Sequence, residues 1–94
     1  MTYEEFRASI SQSDPPKGLT KVQQALWEDG RGNWERAHEL VQDDASTEAE
    51  WVHAYLHRKE GDLSNASYWY RRCGRPVCTD ALEKEWERIV RAVL

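Results

Sequence analysis

Apolar residues recur along this chain at spacings of three and four, divided by short polar stretches, so each sustained stretch reads as a helix. The first is predicted from Met1 to about Gln12, where Thr2 and Glu5 have the capping-box spacing in which each side chain satisfies a free backbone N–H at the other residue. Asp14, Pro15, Pro16 and Gly18 then break the pattern, because proline has no N–H to donate and pushes the residue before it out of helical geometry. A second helix is expected over Leu19 to Asp29, with Val22, Ala25 and Leu26 on one stripe, stopping at Gly30-Arg31-Gly32. Asn33 caps a third helix, Trp34 to about Gln42, whose apolar side is Trp34, Ala37, Leu40 and Val41.

Asp43 and Asp44 end that helix, and Thr47 with Glu50 has the spacing of a second capping box, opening a fourth helix that reaches Glu60. Gly61 stops it, and Asp62 caps a fifth helix, Leu63 to Cys73, with Leu63, Ala66, Tyr70 and Cys73 facing inward until Gly74 and Pro76 end the run. A last helix from Thr79 or Asp80 to the C-terminus aligns Leu82, Trp86, Ile89, Val90 and Val93 on one face. No stretch alternates as a strand does, so the expected class is all-α.

Two of these helical pairs carry the same punctuation. Ala25, Gly32, Asn33 and Ala37 recur as Ala54, Gly61, Asp62 and Ala66, each displaced by 29 positions. A fixed period between about 20 and 50 residues marks units that bury their apolar faces against one another. The expected organisation over 1–94 is one domain: an N-terminal helix (1–12), a first hairpin (19–42), a second hairpin stacked on it (47–73) and a C-terminal helix (79–94).

These residues resemble the tetratricopeptide repeat, in which a small residue sits mid-way along the first helix, a glycine and a polar residue make the turn, and an alanine opens the second helix. Ala54, Gly61-Asp62, Ala66 and Tyr70 hold those places in the second copy, and Ala25, Gly32-Asn33 and Ala37 in the first, where Val41 replaces the large aromatic. The spacing is shorter than the family's period of about 34, and the tryptophan and leucine of its first helices are absent. The resemblance implies a scaffold that recognises a protein or peptide on the concave face made by the first helices, with the final helix as a solvating cap. Carried over by position, it points to Trp51, Tyr55, Arg58 and Lys59 as partner-binding residues.

The spacing of Trp51 and Tyr55 supports that reading independently, because residues four apart share a helix face and two aromatics there can clamp an extended peptide, with Arg58 free for a carboxylate. The competing reading is that Tyr3, Phe6 and Ile10 of the first helix fold over those aromatics and turn the groove into core. A second constellation is His53, His57 and Glu60, which share one helical face and can hold a divalent metal. His38, the remaining histidine, completes three ligands with an open position if the third helix packs beside the fourth. The repeat frame puts His53 and His57 at packing positions, so partial burial with hydrogen bonds is the alternative. A third is the run Asn65 to Arg75, where Tyr68 is the aromatic expected to be exposed and Arg71, Arg72 and Arg75 can hold an acidic peptide or small anion. Those cations also complement the helix dipole, with Glu48, Glu50 or Glu60 as neutralising neighbours.

Composition narrows the field. Thirteen basic and seventeen acidic residues give a net charge of −4, which weighs against nucleic acid or an anionic membrane as the main partner. No apolar run approaches the roughly 20 residues of a bilayer span. Glu4 and Glu5 interrupt the first ten residues, so the expected compartment is the cytoplasm. Cys73 and Cys78, the only cysteines, are then expected to stay reduced, with Cys73 packed on an apolar helical row. No glycine-rich phosphate loop, nucleophile elbow or cysteine beside a base is present, which points to a non-enzymatic protein without a cofactor. The first functional reading is a protein-binding module, the second a metal or small-anion binder, and the third a self-associating subunit such as a homodimer.

Overall fold

A computed structural model describes residues 1–94, which form six α-helices and no strand: α1 Tyr3–Ser9, α2 Lys21–Gly30, α3 Trp34–Val41, α4 Thr47–Glu60, α5 Leu63–Cys73 and α6 Leu82–Val93. Side-chain caps set most of the starts. Thr2 and Glu5 make the expected reciprocal box, and Thr20 makes a second one with Gln23, a pairing that the stripe of apolar residues did not reveal. Asn33 accepts from the Arg36 N–H and Asp62 from the Asn65 N–H.

α1 and α2 begin at Tyr3 and Lys21, two residues later than the expected Met1 and Leu19, and two further starts differ in their caps. The cap of α4 is Ser46, which accepts from the Ala49 N–H, one residue before the expected Thr47. Glu50 is therefore released from capping, turns into the protein interior and pairs with Arg72 at 2.9 Å. At α6 neither Thr79 nor Asp80 caps the helix; Ala81 stands at that place with no side-chain bond. Asp80 is held by Arg88 at 2.7 Å, and its carbonyl accepts from Arg58.

The repeated punctuation corresponds to repeated geometry. Gly32 and Gly61 both adopt positive φ, 87° and 90°, a region where a Cβ is disfavoured. The N–H after each glycine reaches back five residues, Asn33 to the Glu28 carbonyl at 2.9 Å and Asp62 to the His57 carbonyl at 3.0 Å. Each turn thus folds its two helices into a hairpin, α2 along α3 and α4 along α5.

The hairpins meet where α2 and α3 pack on α4, and α6 lies across α2 and α4 together. It is tied there by the Trp86 indole N–H, which donates to the Leu26 carbonyl at 3.0 Å, and by Gln23, which donates to the Val93 carbonyl at 2.7 Å. The helix expected to cap an open array therefore fills the face between the two first helices. α1 rests on α6 in turn, with Tyr3 and Phe6 against Trp86 at ring separations of 6.2 and 6.0 Å.

This arrangement places α4 at the centre, with every residue from Ala49 to His57 buried. A helix buried on all faces is ordinarily apolar throughout, yet this one carries Glu50, His53 and His57. Each polar group inside must then find a partner or cost about 1–3 kcal/mol. All do: no buried side-chain nitrogen or oxygen lacks a hydrogen bond. No helix is long and apolar enough to cross a membrane.

Candidate metal centre

The polar interior of α4 has two sides. Toward α6 and α2 it meets Glu85 and Asp29, and toward α3 and α5 it presents His53 and His57, one turn apart. The pairing of α3 with α4 carries His38 to them, with its Nε2 3.1 Å from the Nε2 of His53. One ring nitrogen from each of the three histidines lies within 4.8 Å of the other two. The rings of His53 and His57 are roughly parallel at 4.8 Å, and that of His38 stands edge-on to both.

Two indoles wall the cluster. Trp34 lies parallel to His38 at 5.1 Å and is fixed by its N–H donating to the Leu56 carbonyl at 2.8 Å. Trp69 of α5 covers His53 face to face at 4.0 Å. Glu60 approaches from the exposed end of α4, its Oε1 2.7 Å from Nδ1 of His57. A carboxylate can only accept, so this nitrogen carries the proton, and in the neutral form of the ring Nε2 is the nitrogen with a free lone pair.

The surroundings favour the neutral form of His53 and His38. Burial pushes His53 down to about 4, with the nearby His57 and His38 adding to the effect. Burial also lowers His38, assisted by His57 and partly opposed by Glu60 and Glu39. A neutral imidazole is the form that ligates metal.

The same burial has a consequence for the metal-free protein. An unfolded histidine takes up a proton near pH 6.5, whereas folded His53 resists it until about pH 4. The unfolded state binds more protons in that window, so stability is complete above about pH 6.5 and falls as the pH drops toward about 4. Urea unfolding in a chelator should show a lower midpoint at about pH 5 than at about pH 7, and His53→Gln should remove much of the difference. Equal midpoints for the parent protein would contradict the assignment.

A tetrahedral ion bound by imidazole at about 2.0–2.1 Å sets neighbouring donors roughly 3.3–3.4 Å apart. The 3.1 Å between His38 and His53 is already close to that spacing. The Glu60 carboxylate on Nδ1 of His57 is the kind of outer support found beside metal-binding histidines, where it fixes ring orientation. The set offers nitrogen donors only, which suits zinc, copper, nickel or cobalt and not calcium or magnesium.

No protein-family model matches this chain, and no curated protein or solved structure is significantly similar to it.

The other residues singled out in the sequence are placed as follows. Glu60 reaches the histidines through its contact with Nδ1 of His57 at 2.7 Å, and with His57 and Asp62 it forms a second group of potential ligands at the end of α4. Trp51 and Tyr55 are 4% and 2% exposed, inside the core. α6 lies over Trp51, which donates to Glu85 at 3.2 Å, while Tyr55 donates to the buried Asp29 of α2 at 3.0 Å and lines a pocket together with Ile10, Leu82 and Trp86. Arg58 pairs with Glu85 at 2.9 Å and Lys59 with Asp29 at 3.0 Å, so neither cation is free for a peptide carboxylate.

The arginine run does not converge. Arg72 engages Glu50 and Tyr68, Arg75 stacks on the face of Trp51 at 3.4 Å, and Arg71 is exposed. Tyr68 is exposed as expected, at 44%. Cys73 and Cys78 are both free thiols and half-buried. Trp34 and Trp69, the latter within the aromatic-arginine run, were not placed beside the histidines by the sequence. Trp34 precedes His38 by one turn, a spacing visible in the sequence, whereas Trp69 reaches His53 only through the packing of α5 on α4.

Proposed function

We propose that this protein binds one divalent transition-metal ion of the zinc class through His38, His53 and His57, with Glu60 orienting His57. The observation that carries this reading is the convergence of one nitrogen from each of the three histidines within 4.8 Å, with His53 and His57 buried. An i, i+4 pair on α4 supplies two donors from one rigid helix, and α3 brings the third from the other hairpin. The ion would thereby link the hairpins through their ligands. The resemblance to tetratricopeptide repeats enters this proposal at the level of the hairpins, supported by the matched turns at Gly32 and Gly61. Partner capture in the groove of such repeats has less support here, because α6 occupies it.

Calorimetric titration of the chelator-treated protein with Zn²⁺ tests the reading. One ion should bind per chain, and His53→Ala should weaken binding by at least about 100-fold, more than the loss typical of an outer-sphere change. A variant with Cys73→Ser and Cys78→Ser should bind as the parent does. Unchanged affinity in His53→Ala, or loss of binding in the double serine variant, would place the ion elsewhere.

A further inference from the structure

The three histidines supply three donors, while a tetrahedral ion takes four. No cysteine, carboxylate or further histidine lies within 4.8 Å of all three ligand nitrogens. Glu60 and Asp62 come within that distance of a His57 nitrogen, but Glu60 is bonded to Nδ1, on the opposite side of the imidazole from Nε2. Its carboxylate therefore supports the ring without reaching an ion on the other nitrogen. The indoles add no donor atom for a metal, since the Trp34 N–H is committed to Leu56 and an indole has no free lone pair in its ring plane.

His38 is the most exposed of the three rings. That ring is half-buried while His53 and His57 are buried, so the approach of a small molecule from solvent passes along His38. Charge decides what kind of molecule is favoured. Three neutral imidazoles put no negative charge among the ligands of a divalent ion, and the nearest carboxylate, Glu60, acts through the far nitrogen of His57. The cations of α4 that could compete for an anion are already engaged, Arg58 with Glu85 and Lys59 with Asp29. Trp34 and Trp69 provide apolar walls, which strengthen the attraction between the ion and an anion by excluding water.

We propose that the ion held by His38, His53 and His57 keeps an exchangeable fourth position that a small exogenous anion fills. This rests on the metal-binding reading above and adds a ligand class to it. Three protein ligands with one open place is the coordination of zinc sites that bind or activate small molecules, as opposed to closed structural sites with four protein donors.

The test uses the full chain loaded with Co²⁺, whose visible absorption reports donor type and coordination number, and titrates it with sodium azide. A saturable shift of the cobalt bands, complete at one azide per ion, is expected. Bands that stay unmoved at a large excess of azide would overturn the proposal while leaving metal binding intact. An intense sulfur-to-cobalt charge-transfer band would overturn it too, by placing a cysteine in the fourth position. Absence of any protein-bound cobalt spectrum, with no Zn²⁺ binding by calorimetry, would remove the metal reading itself.

Discussion

Replacing Glu85 by alanine is expected to lower the stability of the protein by about 3–5 kcal/mol, the cost of removing one partner from a buried ion pair. Glu85 is 1% exposed and sits where α4, α5 and α6 meet. Its two oxygens accept from the Tyr70 hydroxyl at 2.7 and 2.9 Å, the Trp51 indole N–H at 3.2 Å and the Arg58 guanidinium at 2.9 Å. Burial, followed by the bond to Glu85, raises the Tyr70 phenol well above its ordinary range, so the hydroxyl stays a donor at any working pH. Without the carboxylate, the Tyr70 and Trp51 donors lose their acceptor in the interior and the Arg58 cation keeps only the Asp80 carbonyl.

In a domain of this size such a loss corresponds to a fall in Tm on the order of 15 °C or more. Glu85→Gln should lose less, because the amide keeps the volume and one accepting oxygen. Chemical unfolding of both variants checks this. A loss below about 1 kcal/mol for the alanine variant would show that water enters and solvates the stranded groups.

Metal should stabilise the protein by a comparable amount. An ion that binds the folded chain at about 100 times its Kd contributes roughly 2.7 kcal/mol, which raises Tm by on the order of 10–20 °C in a small domain. In the proposed centre the gain depends on ligands from both hairpins. His38→Ala leaves only the pair on α4, so that variant should show almost none of the metal-dependent rise while remaining helical. Glu60→Gln should keep a reduced rise, because its amide oxygen can still accept from His57 and only the charge is lost. Thermal unfolding with and without Zn²⁺ measures both, and an undiminished rise in His38→Ala would exclude a centre that spans α3 and α4.

The helices were readable because their signals are local. Thr2 with Glu5, Asn33, Gly32 and Gly61 each act on backbone groups within a few residues, and the structure uses them as their chemistry suggests. Where two candidates stood side by side, local rules did not separate them. Ser46 and Thr47 can both cap, and Ser46 takes the role while Glu50 faces inward to Arg72. The histidines were also visible: their spacing on α4 set two on one face, and stacking of the hairpins was enough to suggest the third.

Exposure could not be read the same way. Trp51 and Tyr55 have the spacing of a binding face, and the same spacing serves a core; the choice depends on whether another element lies over them. That element is α6, whose apolar face of Trp86, Ile89 and Val90 is equally compatible with an outer cap or with a filling of the groove. Buried Asp29 and Glu85 became acceptors for Tyr55 and Tyr70 only once α2 and α6 were in place. Periodicity and capping act through neighbouring residues and so belong to the order of the chain, which sets the helices, the two matched hairpins and the histidine pair. Burial and pairing depend on groups far apart in that order, so the filling of the groove by α6, the pairing of its cations and the walling of the histidines by Trp34 and Trp69 came from packing.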